Sequence, residues 1–413
     1  MRKIDKKMKI ALFHNLPSGG AKRALYNSIK YLAQTGHLVD VFVPSTANEN
    51  YLPLRDFANK LHVFSVKRTM KGLIHSTFQY IPPIKRISLF DLEKTEEEIA
   101  NFINRLDYDV VLCEQDQYTM SPFFLKFIKK PVVYYCQQPL RSRETILQNI
   151  SQIGNQKNHS KLLKRMWHKY LNKKSIEIDK KNASFSKYIL ANSYFSRESI
   201  LRSYGLNSYV SYLGVDTELF KPLKVSKENF VLSVGSCTPN KGFEFIIRSL
   251  SHISSKIRPK FIIVSNSSYK GWEEYLEQLA IENSVALEIK KLVHDNVLVS
   301  LYNKARLLVY APYLEPFGLV PLEAMACGTP VVAVKEGGIR ESVIQGETGV
   351  LTERDEIMFA EAVTELLLDK EESSRMALQA VKAINDFWTL EHAGERLEKH
   401  LVRATENKYS LLV

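Results

Sequence analysis

The sequence predicts an α/β protein made of two doubly wound domains, each a parallel sheet with helices on both faces. Three observations predict this. The 413 residues exceed what one ordinary core holds. Short apolar strands alternate with amphipathic helical segments in two successive runs. A polar stretch, residues 214–229 with Pro222 and several lysines, separates the runs.

In the first run, strands are expected over residues 9–14, 38–43, 110–113, 131–136, 187–191 and 209–213, with one helix from Ala21 and another over 91–106. The second run repeats the plan at 230–235, 260–265, 286–289, 307–310 and 331–334. The domains then cover residues 1–215 and 222–391, and the helical segments after about Leu367 have no strand to return to. In such sheets ligands lie beyond the carboxyl ends of the strands, so the loops entering helices are where functional residues belong.

Composition narrows the class. Hydrophobic residues make up 45% and charged residues 25%, the balance of a globular enzyme. No apolar run approaches the roughly 18 residues that span a bilayer. The basic start, residues 1–8, leads into a strand rather than into the apolar core of a signal peptide. Cys113, Cys136, Cys237 and Cys327 are scattered, with no Cys-x-x-Cys spacing and no clustered histidines. Neither a zinc site nor a disulfide framework is expected, and a reducing cytoplasm is the natural compartment. Residues 1–220 carry 34 Lys and Arg against 19 Asp and Glu, whereas the remainder carries 23 against 26. A basic first half points to an anionic partner there, a phosphate-bearing acceptor or a membrane surface; no nucleic acid is expected. Within it, the lysine-rich segment 155–187 places Leu163, Trp167 and Tyr170 at i, i+4 and i+7. That stripe reads as core-facing under a solvated basic face, with a membrane-surface helix as the rival.

The stretch Glu315-Pro316-Phe317-Gly318-Leu319-Val320-Pro321-Leu322-Glu323 carries the most chemical information. Pro321 suits the first helical position, Gly328 a left-handed stop, and Pro330 prevents continuation. The N–H groups around Phe317 to Leu319 are then without helical partners and, with the helix dipole, favour a diphosphate. Carboxylates repel phosphate, so Glu315 before the helix and Glu323 in its first turn are expected to accept from hydroxyls, of a sugar ring and a ribose respectively.

With these residues the chain resembles the family-4 retaining glycosyltransferases of the GT-B fold. The family's Glu-x7-Glu pattern, followed by Ala-Met-Ala-x-Gly-x-Pro-Val-Val, occurs here from Glu315 to Val332 without a gap. The resemblance implies two Rossmann-like domains facing across a cleft, an acceptor-side first domain and a nucleotide-sugar-binding second one. It also implies a terminal helix, about 392–413, that packs back on the first.

Val234-Gly235-Ser236-Cys237-Thr238-Pro239-Asn240-Lys241-Gly242 follows a strand and opens a helix, so Lys241 can reach an anion at the helix N-terminus. It is similar to the family's Gly-Arg-x-x-x-x-Lys-Gly loop, with Ser236 in place of the arginine. Ser18-Gly19-Gly20-Ala21-Lys22-Arg23 matches the family's Gly-Gly-Ala-x-Arg segment, where small residues let the backbone approach the donor phosphate. It is not the Gly-x-Gly-x-x-Gly fingerprint of dinucleotide enzymes. Gln137 stands where many relatives carry histidine; an amide can hydrogen-bond a hydroxyl but cannot shuttle a proton. Arg141 and Arg143 follow as candidate acceptor-binding cations. Asp107-Tyr108-Asp109 precedes a strand rather than following one, and reads as a solvated turn, not a metal-nucleotide signature.

The expected function is therefore metal-independent, retaining transfer of a sugar from a UDP- or GDP-sugar to a glycan or lipid-linked acceptor. The expected place is the cytoplasm, at the inner face of the membrane. Glu315 and Lys241 are the catalytic candidates. Gly19, Gly20, Gly235, Ser236, Asn240, Phe317, Gly318, Leu319, Val320 and Glu323 are assigned to the donor, with Phe317 walling the pocket, and Gln137 and Arg141 to the acceptor or sugar side. No metal or cofactor is expected. Two alternatives are a nucleotide-sugar 2-epimerase of the same fold, disfavoured by the Glu-x7-Glu block, and a degenerate non-catalytic partner subunit, which Ser236 and Gln137 keep in play.

Overall fold

A computed structural model describes residues 7–69, 87–140 and 162–406 of the chain. They form two compact units. The first takes the described residues up to 140 together with 162–212 and 393–406, and the second is the run 213–392.

The first unit is a parallel sheet of seven strands: β1 (Lys9–Asn15), β2 (Leu38–Pro44), β3 (Lys60–Phe64), β4 (Val110–Asp116), β5 (Val132–Tyr135), β6 (Ile189–Ala191) and β7 (Tyr209–Val210). Their order is β3-β2-β1-β4-β5-β6-β7. The second unit is a parallel sheet of six: β8 (Phe230–Val234), β9 (Lys260–Ser265), β10 (Leu287–Lys291), β11 (Leu307–Tyr310), β12 (Val331–Val334) and β13 (Gly349–Thr352), in the order β10-β9-β8-β11-β12-β13. In both sheets the strand order reverses at a central pair, β1 beside β4 and β8 beside β11. The loops leaving those strands flank a topological switch point, where ligands bind in this architecture.

The central strands read as nearly continuous apolar runs because helices cover both faces. Phe13, Phe42, Ile99, Phe124 and Tyr134 fill the first core, with Phe13 and Phe124 stacked at 4.3 Å. Val231, Ile246, Phe261, Val309 and Phe359 fill the second. The helices that matter below are α1 (Gly20–Gln34), α2 (Leu89–Asn104), α3 (Leu162–Ala183), α4 (Tyr194–Tyr204), α5 (Phe243–Ser251), α6 (Asp295–Lys304), α7 (Leu319–Ala326) and α8 (Leu390–Thr405).

Helix α8 docks on the first unit through polar groups. His37 Nε2 lies 2.9 Å from Glu398 Oε1, Tyr31 donates to Glu398 Oε2 at 3.3 Å, and Tyr188 Oη lies 2.7 Å from His400 Nδ1. Gly394 allows the close approach, since a Cβ there would lie 2.1 Å from the Tyr31 ring. Residues 407–413, included in the expected terminal helix, lie outside the described residues.

Two sequence expectations change. Strands β3 and β13 were not foreseen; both are edge strands, and the half-exposed Lys-Leu-His-Val-Phe of β3 carries no clear alternation. Tyr170, expected in a core-facing stripe, is exposed, with Lys174 Nζ 5.9 Å over its ring, because among the described side chains of α3 it is Ile176, Asp179, Asn182 and Ala183 that turn inward. The side chains of Leu163 and Trp167 lie outside the described residues. The Asp107–Asp109 turn precedes β4 with Asp107 exposed, and it holds both β1 and β2: the Lys9 N–H donates to Asp109 Oδ2 at 2.7 Å, and Tyr108 donates to Asp40 Oδ2 at 2.6 Å.

Candidate active site

Two loops at the switch point of the second sheet bring the main candidates together. After β8 the chain turns through Gly235 to Asn240 into a short 3-10 turn, Pro239–Lys241, and Gly242 starts α5 with φ 68°. Only glycine fits at 242: its φ is left-handed, and a Cβ would lie 2.0 Å from the Ala311 carbonyl oxygen. Within the loop, Ser236 Oγ lies 3.2 Å from Thr238 Oγ1, and Thr238 donates to Asn240 Oδ1 at 2.6 Å. The Tyr313 N–H donates to the Asn240 carbonyl at 2.9 Å, tying this loop to the one after β11. The Lys241 stem lies across Gly235, at 3.5 Å from where a Cβ would stand.

The loop after β11 is held in an unusual backbone. Leu314 adopts φ 49°, a left-handed conformation costly for a branched side chain, immediately before Glu315. Gly337 and Gly338 form its seat. The Gly338 N–H donates to the Glu315 carbonyl at 2.8 Å, and a Cβ at Gly337 or Gly338 would lie 2.2 Å from the Glu315 or Pro316 carbonyl oxygen. Arg354 braces the loop from behind, with Nη1 and Nη2 3.0 Å from the Ala311 and Pro312 carbonyls, its other N–H groups on Glu336, and its guanidinium 3.7 Å over the Tyr313 ring.

These constraints deliver Lys241 Nζ to 2.8 Å from Glu315 Oε2, each side chain about four-fifths buried at 20% and 19% exposure. Helix α7 then begins at Leu319, with Gly318 turning the chain in at φ 96°. This corrects the expected start. Pro321 is the third helical residue rather than the first, still in the turn whose N–H groups have no helical acceptor, and Glu323 falls in the second turn. Gly328, at φ 68°, ends the helix. Leu319 and Val320 are half-buried. Phe317 is 2% exposed and packs on Trp388 with ring centroids 5.8 Å apart, so it anchors the loop from inside rather than walling a pocket.

Glu323 is buried, and Tyr302 of α6 donates to its Oε2 at 2.7 Å. Tyr310, at the end of β11, sits beneath Gly318, 3.7 Å from where a Cβ would stand. Burial first, then the facing Glu315 and Glu323 carboxylates, push its hydroxyl pKa far up, so it stays neutral. Sequence reasoning missed both tyrosines. For Tyr310 a signal existed, a polar-tipped residue closing a buried strand just before the motif; Tyr302 looks like any aromatic helix residue.

In the first unit, Gly19 adopts φ 140° and ψ −169°, and neither Gly19 nor Gly20 would bring a Cβ within 4 Å of the protein. The room beside them is open. Lys22 and Arg23 turn inward. Lys22 is fully buried and paired with Glu49, His14 Nε2 lies 3.0 Å from Glu49 Oε1, and the Leu54 N–H donates to Glu49 Oε2 at 2.9 Å. Burial lowers His14 to about 4; for Glu49, burial is outweighed by its bonds and charges from His14 and Lys22, which bring it to about 2. Arg23 donates to Tyr51 at 3.3 Å. Gln137 is buried between Glu114 and Asn192. Arg141 and Arg143 lie outside the described residues. Among the described residues, no three His, Cys, Asp or Glu side chains gather so as to hold a metal ion.

Comparison with known proteins agrees with this architecture. The family model "Glycosyl transferases group 1" matches residues 215–383, and "Glycosyltransferase Family 4" matches residues 18–219. The alpha-1,3/1,6-mannosyltransferase ALG2 of Dictyostelium discoideum is 24% identical, over 96% of this chain and 98% of its own. A D-inositol 3-phosphate glycosyltransferase of Corynebacterium diphtheriae is 46% identical over 24% of each chain. Among solved structures, Anabaena HepE in complex with UDP and glucose superposes with a TM-score of 0.69 at 19% identity, covering 96% of this chain and 99% of that one. Sucrose-phosphate synthase from Thermosynechococcus elongatus gives 0.73 at 19% identity, covering 96% and 98%. With both models matched in sequence order, and with mannosyltransferase relatives aligned nearly end to end, the chain belongs to the group 1 and family 4 glycosyltransferases of the GT-B fold.

Proposed function

We propose that this glycosyltransferase moves a hexose from a UDP- or GDP-sugar to a hydroxyl of a glycan or lipid-linked acceptor, with retained anomeric configuration and without a metal. The observation that carries the reading is the Lys241–Glu315 pair, set on two loops that leave neighbouring strands at the switch point of the second sheet. As the glycosidic bond breaks, the leaving diphosphate gains negative charge. Lys241 and the N–H groups opening α7 meet that charge with fixed positive potential. The diphosphate takes Lys241 from Glu315, and Glu315, so released, accepts hydrogen bonds from the sugar. Glu323, oriented by Tyr302, accepts from the ribose. Gly19 and Gly20 serve the donor phosphate, and Gln137 the sugar or acceptor. No side chain is assigned as nucleophile.

The neighbour bound to UDP and glucose and the mannosyltransferase relatives support a nucleotide-diphosphate hexose as donor. The basic surplus of residues 1–220 and the exposed lysines of α3 support an anionic acceptor at the cytoplasmic membrane face, and the four free, buried thiols are compatible with a reducing compartment. Thermal shift against UDP-, GDP- and ADP-sugars in EDTA tests the donor, since a ligand at about 100 times its Kd stabilises by about 2.7 kcal/mol. NMR of the product's anomeric centre then tests retention. An inverted product, or activity lost in EDTA and restored by magnesium or manganese, overturns the corresponding part.

A further inference from the structure

Three buried side chains at the carboxyl end of the first sheet form a hydrogen-bonded chain, of which the transfer chemistry above uses only Gln137. Glu114 near the end of β4, Gln137 just after β5 and Asn192 just after β6 are all at least nineteen-twentieths buried. Gln137 Nε2 donates to Glu114 Oε1 at 3.1 Å, and Asn192 Nδ2 donates to Gln137 Oε1 at 3.0 Å. Ser196 donates to the Gln137 carbonyl oxygen at 3.2 Å, so the backbone is pinned while the amide can turn. Asn192 Oδ1 is buried with no hydrogen-bond partner.

An amide offers an acceptor at one end and donors at the other, whereas a carboxylate only accepts and a carboxylic acid also donates. Two amides ending on a carboxyl group therefore have two self-consistent arrangements. With Glu114 ionised, donation runs from Asn192 through Gln137 to Glu114. With Glu114 protonated, its O–H donates to Gln137 Oε1 and Gln137 Nε2 donates to Asn192 Oδ1, both amides having turned over. The second arrangement gives Asn192 Oδ1 the partner it lacks and releases Nδ2.

We infer that Glu114 is a positioning residue whose protonation sets the direction of this chain, exchanging the places of the spare N–H and spare lone pair of Gln137. The groups facing it do not compete for the proton. Cys113 on its own strand and Tyr135 and Cys136 on β5 are driven by burial far toward their neutral forms, and Arg396 of α8 acts on Tyr135. Glu114 itself is raised to about 8 by burial, against the opposing bonds from Gln137 and the Gln115 N–H, so the exchange falls in an accessible range.

The consequence for catalysis rests on the assignment of Gln137 to the sugar side, and the test separates the two. In the full-length enzyme with 15N-labelled Asn and Gln, the side-chain amide signals of Gln137 and Asn192, identified by their loss in Gln137→Ala and Asn192→Ala, are followed from about pH 6 to about pH 10. They should move together with a midpoint near 8. In Glu114→Gln, which cannot ionise, they should stay fixed, and a severalfold step in turnover near that pH should vanish. Should Glu114→Gln fail to fold, the wild-type titration still decides. Amide signals that move without any step in turnover support the reversible chain and remove Gln137 from the sugar side. Signals that stay fixed across the range overturn the inference.

Discussion

Lys241 Nζ lies 2.8 Å from Glu315 Oε2, an ion pair between residues 74 positions apart that no local chain geometry would bring together. Each charge is the other's main compensation in a largely buried setting, and in the proposed mechanism donor binding separates them. Lys241→Ala and Glu315→Gln should each lower turnover by about a hundredfold or more with the fold intact by circular dichroism. The double variant should lose far less than the product of the single losses, because the two act as a unit. Wild-type turnover in both single variants would sink the site assignment.

Tyr302→Phe removes one hydrogen bond, 2.7 Å long, from the carboxylate of Glu323. If Glu323 serves the ribose, the loss is one of ground-state binding, so the donor KM should rise several-fold with kcat nearly unchanged. An equal fall in kcat with constant KM would place Glu323 at the reacting bond instead.

The His14–Glu49–Lys22 cluster should make the enzyme acid-sensitive. His14 titrates near 4 in the folded state against 6.5 unfolded, so stability declines as pH falls from 6.5 to about 4. Glu49 is held at about 2 against 4.5, so its contribution, present above 4.5, is lost as pH falls toward 2. His14→Gln should flatten the upper part of a melting-temperature profile. Glu49→Gln should lower the melting temperature at neutral pH as well, because it strands a fully buried lysine. A profile unchanged by both would show that the cluster does not govern acid stability.

Gly337→Ala should cost more than Gly346→Ala, although both glycines have left-handed φ, 70° and 74°. At 346 nothing lies within 4 Å of the added Cβ, so only backbone strain remains, about 1 kcal/mol. At 337 the Cβ meets the Glu315 carbonyl oxygen at 2.2 Å, so the loop must shift and a loss of about 3 kcal/mol is expected, together with reduced turnover. Urea denaturation and steady-state rates on the two variants check this.

Lys173, Lys174, Lys180 and Lys181 are exposed on α3. Binding to acidic vesicles should be measurable at low salt and fade as screening shortens from about 10 Å at 0.1 M toward 3 Å at 1 M. Reversing these four lysines to glutamate should weaken vesicle binding without changing donor affinity. Equal activity on a neutral soluble acceptor, with no vesicle association at any salt, would remove the membrane from the account.

The two motif loops of the second unit were legible in the sequence because their information is local: a strand, a glycine turn, then Lys241 or Glu315 at a helix entrance. The α/β class followed from the same alternation. What was not legible depends on tertiary contact. Tyr302 and Tyr310 reach the motif carboxylates from a helix and a strand whose own patterns are those of ordinary core elements. Lys22 and Arg23 follow Gly19 and Gly20 as if ready for a phosphate, and only the loop carrying Glu49 and Tyr51 turns both inward. Helix α7 starts at Leu319 because Gly318 can turn left-handed there, a freedom that Pro321 does not reveal.

The docking of α8 bears on how the protein is made. Among the described residues the second unit is one unbroken run, whereas the first is completed only by residues 393–406. During synthesis the sheet of the first unit is whole once β7 has emerged, yet Tyr31, His37 and Tyr188 wait for partners on a helix translated after the entire second unit. Domains usually mature in the order they leave the ribosome. Here the later one can reach its final form first, and the earlier must persist with an uncovered flank until Glu398 and His400 arrive.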